Sequence, residues 1–565
     1  MKKITILFMA VVAMLVVAPG ARAQGTTGQF SATVDARDAH IVDVGTVCID
    51  VLQWAVEDSV THKIDTIYTA EPYILWQRDG DIEAQAEARR ARVLKIGTRR
   101  KISTTKRTGS LMAGWIAEYQ YNVFVYNYPS VDADGKPVTL SAIAACPTKS
   151  GTSEVRDVII GTHITITSNA ECPSLTTQGF TSSDWGMLFS FAGGPKLRLG
   201  WKTNLIAAAA TSVLIFTVPV SMLWGTVDIA TASASADPSQ NYNLVIMPDY
   251  EGYGETSSHA HPYLYQELTA RQCVDATLYG IELYKNDSGL KDIRHPLRSN
   301  YRTLSCGYSQ GGSVAMAVHR FIEQNGLADQ LHFVGSICGD GPYDPMSTLM
   351  YYMERDLAGH KMSMAVVLPL IVKGMLDTNP YMKTHKVEDY FTDEFLSTGI
   401  MQWLTDKRKT TDDIENSWAS QARQGMTTIF DNSGKAMMRD IMKPSCYNYF
   451  KGVYEANKNT FTNKEGIPLP THRGLFEDLH FALASNDMTS GWTPEHAVFL
   501  FHSKDDTVVP FVNFTKASNS FGKWAVPRTI NIGRDHVPAG EVFFRGIDND
   551  DIKAHLTLHI YMGKK

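Results

Sequence analysis

Short apolar runs separated by helix-length segments dominate the chain from residue 158 onward, at residues 158–160, 244–247, 302–304, 333–337, 497–501 and 529–532. Runs of this length, bounded by polar or glycine-rich stretches, predict buried parallel strands joined by crossover helices. Ahead of them Tyr119, Tyr121, Val123 and Val125 alternate with other residues, Asp134-Gly135 supplies a turn, and residues 139–145 continue as a second strand. That pattern predicts an antiparallel pair at the edge of the sheet. The expected class is therefore α/β, a mostly parallel central sheet flanked by helices.

Between residues 345 and 480 no comparable strand occurs, and Met-, Leu- and Tyr-rich stretches such as residues 362–375 carry helical spacing. This predicts a helical cap inserted after the strand at 333–337. Residues 24–115 mix helical periodicity with a basic stretch that includes Arg89, Arg90, Arg92, Arg99 and Arg100. They read as an N-terminal extension with a solvated helix, binding to an anionic surface being the competing reading. The expected organisation is a leader at 1–23, the extension at 24–115, a core at 116–345 and 481–565, and the cap at 346–480. Residues 205–224 are long and apolar enough to span a membrane, but a span there would divide the sheet, so a buried helix or an apolar mouth element is expected. No internal repeat stands out.

Lys2 and Lys3 precede an apolar run, and Ala21-Arg22-Ala23 precedes Gln24, the layout of a secretory signal peptide. Export to the periplasm or the medium is expected. The formal net charge is −6, and loss of the leader would make it more acidic, which argues against a nucleic-acid partner. Seven cysteines, an odd number, do not form a disulfide framework.

The candidate chemistry centres on Gly307-Tyr308-Ser309-Gln310-Gly311, followed by Gly312. A serine held between glycines at a strand-to-helix turn exposes its hydroxyl, and the glycines are needed because side chains there would strike the flanking strand and helix. The bland reading is a glycine-rich loop. Residues 301–306 read as a strand and 313–318 as a helix, which favours the functional one. A serine needs a base to take its proton and a third group to orient the base. Asp506, on the loop leaving the apolar run 497–501, is the expected acid, with Asp505 as competitor. His536, after the last predicted strand, is the expected base, which gives the chain order Ser, Asp, His. The backbone N–H of Gln310 is one expected oxyanion donor. The second is expected from the loop 161–165, with His163 and Ile164 as candidates; the His163 side chain reads as a pocket wall or as a loop histidine. His555 and His559 sit in a period-two pattern and no HExxH motif occurs, so neither a metal nor an organic cofactor is expected.

Residues 126–147, Met247-Pro248-Asp249-Tyr250-Glu251-Gly252-Tyr253-Gly254, His261-Pro262-Tyr263-Leu264, 307–312, Gly341-Pro342-Tyr343-Asp344 and 492–510 resemble the secretory lipase family of α/β-hydrolases and its bacterial relatives. The resemblance runs from about residue 117 to the end. It implies an α/β-hydrolase fold with a helical cap, Ser309, Asp506 and His536 as triad, and hydrolysis of carboxylic esters or lipids without a cofactor. Asp249, Tyr250, His261 and Asp344 are expected as scaffold beside the site. Ser503 stands where many relatives have glycine, the stretch 205–240 is longer than expected, and the loop after residue 160 does not align cleanly. The expected function is an exported serine esterase or lipase working through an acyl-enzyme on a small ester or lipid, with contact to a lipid interface open and the oligomeric state unassigned. The alternatives are a serine peptidase of the same fold and an inactive hydrolase-fold binding protein. Met362, Met364, Leu368 and Leu370 suit core packing and an acyl groove equally.

Overall fold

The computed structural model describes residues 33–58, 60–96, 101–104, 107–147, 154–175, 242–463, 465–530, 534–540 and Phe543. The expected leader, residues 205–224 and the His555 and His559 pair lie outside them.

Among the described residues, eleven strands form one sheet: β1 (His40–Asp58), β2 (Ile64–Trp76), β3 (Lys101–Thr104), β4 (Arg107–Val131), β5 (Pro137–Pro147), β6 (Val155–Thr162), β7 (Tyr242–Pro248), β8 (Leu297–Tyr308), β9 (Phe333–Gly339), β10 (Ala497–Ser503) and β11 (Ala525–Ile530). The order is β11-β10-β9-β8-β6-β7-β5-β4-β1-β2, with β3 paired to β4. From β7 across to β11 every neighbouring pair is parallel. From β5 outward the pairs are antiparallel. The strands read from the runs between residues 158 and 501 all occur, the run at 529–532 overlaps the end of β11 and continues outside the described residues, and the architecture is the expected α/β one.

Two features differ from the sequence reading. Residues 40–76, where helical spacing was expected, form the long antiparallel pair β1 and β2. Because β1 also pairs with β4, the hairpin β4–β5 lies inside the sheet and not at its edge. The hairpin turn itself follows its residues: Gly135 takes φ 75, and the Asp132 carboxylate accepts from the amides of Asp134 and Lys136.

The helices Gln266–Asn286 and Gln310–Gln324 are buried along most of their length. Val314, Met316 and Val318 share one core with Val158, Ile160, Leu244, Ile246, Val498 and Leu500 of the strands. Between β9 and β10 the chain is helical, from Pro345–Leu357 to Leu475–Ala484. These helices build a second core around Met350, Leu368, Ile371, Trp418 and Phe450. Met362, Leu368 and Leu370 are buried in it, so the apolar stripe there packs the interior. Trp418 stacks on Phe430 with ring centroids 4.4 Å apart, and each large side chain buried this way contributes about 2–3 kcal/mol. Val508 and Val509, from the loop after β10, also enter the second core, and the Tyr352 hydroxyl donates to the Val508 carbonyl at 2.5 Å. The loop that carries Asp506 is thereby seated where the two cores meet.

All seven cysteines are buried thiols. Among the described residues, no helix is long and apolar enough to cross a membrane.

Candidate active site

Ser309 lies between β8 and the helix Gln310–Gln324 with φ 58 and ψ −126, a left-handed conformation that L-residues rarely adopt. Such strain costs about 1–3 kcal/mol and persists only where the surroundings over-determine it. Here the Ser309 amide donates to the Gly339 carbonyl at 2.9 Å. A Cβ on Gly307 would lie 2.2 Å from Thr162 Oγ1, one on Gly311 would lie 2.1 Å from the Thr162 carbonyl oxygen, and one on Gly312 would lie 2.2 Å from the Gly339 carbonyl oxygen. The three glycines therefore let β6, β9 and the new helix close around the turn and hold the serine in place.

His536 Nε2 lies 2.8 Å from Ser309 Oγ, and His536 Nδ1 lies 2.6 Å from Asp506 Oδ2. The structure brings the three predicted side chains into one hydrogen-bonded line. Asp505 is exposed and outside that line, whereas Asp506 is 2% exposed. Burial pushes the Asp506 carboxyl upward, but the His536 imidazole, His502 and the Val509 amide outweigh it and leave the group below the usual carboxylate range. Asp506 Oδ1 accepts from the amides of Val508 at 2.8 Å and Val509 at 2.7 Å. Burial lowers the His502 pKa to about 4, so this neighbour stays neutral, with Nε2 on the Val509 carbonyl at 2.9 Å.

The loops carrying acid and base are fastened to each other. The Ser503 hydroxyl donates to the Arg534 carbonyl at 2.5 Å, and the Thr507 amide donates to the Asp535 carboxylate at 2.8 Å. A glycine at 503 would lack the first bond, so Ser503 adds a tie between the two loops.

Gln310 opens the helix after Ser309, where backbone amides point outward and the helix dipole favours negative charge. His163 and Ile164 follow β6 and run beside the turn, as the tight approach of Thr162 and His163 carbonyls to Gly311 shows. The His163 ring is fully buried, stacked on Tyr250 with centroids 3.8 Å apart, and its nitrogens lie 2.7 Å and 3.1 Å from the Ile164 and Asp249 carbonyls. Its side chain thus acts as a loop support, and burial lowers its pKa to about 4. His261 Nδ1 lies 2.9 Å from the Glu251 carbonyl, and Gln310 Nε2 lies 2.9 Å from His261 Nε2.

The residues expected as scaffold have that geometry. Asp249 accepts from the Ser141 hydroxyl at 2.5 Å and the Ser174 amide at 2.8 Å, and burial raises its pKa to about 6. Asp344 caps the helix Pro345–Leu357 and is paired with the buried Lys516. Lys407, which follows the helix Ile400–Asp406 with φ 50, extends its ammonium to the carbonyls of Gly252, Ser257 and His259.

Asp340 was not anticipated. It is fully buried at the C-terminal end of β9, and one of its carboxyl oxygens lies within 4.8 Å of both the Asp506 carboxylate and the His536 imidazole. The rule that selected Asp506, a carboxylate just past a parallel strand, applies equally to it. Tyr308, the residue before the serine, places its hydroxyl 2.6 Å from Asp340 Oδ2 and 2.7 Å from the His536 carbonyl oxygen.

Among the described residues, two groups have the composition of a metal site, Asp340 with Asp506 and His536, and His319 with Glu323 and His496. In the second, Glu323 Oε1 lies 2.8 Å from both imidazoles, and the carboxylate accepts from the amides of Glu495 and His496. Hydrogen-bond donors satisfy the carboxylate there, and the knot anchors the chain entering β10.

No family model matches the chain, and no curated protein does. Among solved structures, a protein of Legionella pneumophila provisionally designated a hydrolase is 16% identical, with a TM-score of 0.51 over 77% of this chain and 89% of that one. The rice cell wall degrading esterase LipA from Xanthomonas oryzae is 18% identical, with a TM-score of 0.47 over 79% of this chain and 90% of that one. Candida antarctica lipase A in its closed state is 13% identical, with a TM-score of 0.41 over 74% of this chain and 73% of that one. At these identities the likeness concerns the fold. Strand order and structural likeness together make this an α/β-hydrolase fold.

Proposed function

We propose that the protein is a serine hydrolase that cleaves carboxylic esters through an acyl-enzyme. The observation that carries this reading is the unbroken line from Asp506 through His536 to Ser309, with contacts of 2.6 Å and 2.8 Å, ending on a serine held in the left-handed turn. Ser309 Oγ attacks the ester carbonyl while His536 Nε2 takes its proton. The amide of Gln310, with one from His163 or Ile164, receives the developing oxyanion. His536 returns the proton to the departing alcohol, and water releases the acyl group by the same steps in reverse. Asp506 holds the imidazole in the tautomer that leaves Nε2 free to accept.

Pre-steady-state kinetics with nitrophenyl esters of increasing chain length tests the reading. A stoichiometric burst followed by slower turnover is expected, with peptides of matched sequence uncleaved. Ester turnover without a burst, or a preference for the peptides, would remove it. A jump in rate above the micelle threshold would place the substrate at a lipid interface, and a smooth dependence would make it a soluble ester.

Export belongs to the same proposal and rests on the layout of residues 1–23. N-terminal sequencing of protein recovered outside the cytoplasm is expected to begin at Gln24, and an intact Met1 would refute it.

A further inference from the structure

We propose that Asp340 is a positioning residue for this triad, a neutral carboxylic acid that donates to the Tyr308 hydroxyl, which in turn donates to the backbone carbonyl of His536. The inference rests on the catalytic reading above and adds a member to the site.

The argument is one of proton accounting. Asp340, Asp506 and His536 are 0%, 2% and 5% exposed, and a polar atom from each lies within 4.8 Å of the others. Two carboxylates so close together and away from water do not both ionise. Asp506 is the one that keeps the charge. It receives the imidazole and two amides, whereas Asp340 receives one amide, that of Ser503, on Oδ1 at 3.0 Å. With Oδ1 engaged by the Ser503 amide, the proton on Asp340 is assigned to Oδ2, which faces Tyr308 Oη at 2.6 Å, the Asp506 side chain being the competing acceptor.

The phenol has a single hydrogen and two oxygen neighbours, Asp340 Oδ2 and the His536 carbonyl at 2.7 Å. The carbonyl can only accept. Tyr308 must donate to it and accept from Asp340, which fixes the direction of the whole chain. The other titratable groups facing Asp340 agree with a neutral acid. His502 Nδ1 stands 3.6 Å from Oδ1 on a ring kept neutral by burial, and Tyr343 is a buried phenol. Burial and the Asp506 charge push the Asp340 carboxyl well above the carboxylate range and outweigh the Tyr308 and Ser503 contacts, which pull it down. Asp340 also has φ 34, a left-handed conformation that Asp and Asn tolerate better than most side chains.

The test uses the full-length protein and two substitutions. Asp340→Asn offers an amide N–H to Tyr308 and an oxygen to the Ser503 amide, so it replaces a neutral acid closely. Because no charge beside His536 is removed, the acidic limb of kcat/KM is expected to stay where it is in wild type. Tyr308→Phe breaks the chain without touching Asp340 and is expected to lower kcat by about 10- to 100-fold with KM unchanged, because the backbone holding the imidazole loosens. An acidic limb that falls by about one pH unit in Asp340→Asn would mean that a negative charge had been removed, and would overturn the proposal. Full activity in Tyr308→Phe would overturn it as well.

Infrared difference spectra of wild type against Asp340→Asn read the protonation state without any substrate. A protonated-carboxyl C=O band near neutral pH, absent from the variant, is expected; loss of a carboxylate band instead would end the inference. If wild type hydrolyses no ester, the functional reading fails while the infrared result still decides the state of Asp340.

Discussion

Ser309→Ala is expected to abolish the burst and to lower kcat by about 10⁶-fold, leaving the weak rate that binding and the oxyanion donors supply on their own. The hydroxyl is the only part of Ser309 that the substitution removes. The amide still donates to the Gly339 carbonyl, the glycines still permit the close contacts of the turn, and alanine meets much the same backbone strain as serine. The variant should therefore fold and melt like wild type while losing all labelling by a fluorophosphonate probe. Retained turnover or retained labelling would show that another nucleophile does the work.

Asp506→Asn comes next in size, with an expected loss of about 10⁴ in kcat. The geometry fixes how the damage arises. Asp506 Oδ1 accepts from two amides, at 2.8 Å and 2.7 Å, so an asparagine must place its own oxygen there and turn its NH₂ toward His536 Nδ1. That nitrogen then has to accept, the ring proton moves to Nε2, and the base can no longer take the proton of Ser309. KM should change little, since the carboxylate lies behind the imidazole. Asp505→Asn, at the exposed neighbour, should behave as wild type. Equal losses in the two variants, measured under saturating ester, would count against the assignment.

Within the parallel half, β7, β9 and β10 were legible because they are buried at nearly every position and so read as apolar runs between helical segments, whereas β11 is half-exposed. Asp506 and His536 were legible from their place just after such runs. The N-terminal strands were not, and β1 shows why. Val44, Val47, Cys48 and Val51 fall at helical spacing, while the register against β4 shifts between Ile41 and Asp43, between Thr46 and Cys48, and between Gln53 and Trp54. Each irregularity resets the two-residue alternation, so a strand with several of them imitates a helix. The abundance of β-branched residues in the same stretch was the better signal. Asp340 escaped for a different reason. Its role depends on what faces it across the sheet, and a position 166 residues from Asp506 in the chain gives no hint of that proximity.

The grip of Lys407 on three backbone oxygens has a bearing on how firmly the helical region is held. Each bond from an ammonium to a carbonyl contributes about 1.5–3 kcal/mol, and lifting the helical region off the 252–259 loop would break all three at once while stripping a cation of its partners. That corner therefore ties the helical region to the loop that follows β7. With the Tyr352–Val508 and Asp344–Lys516 contacts elsewhere in the same region, the helices between β9 and β10 are fastened to the rest of the molecule at several separate points.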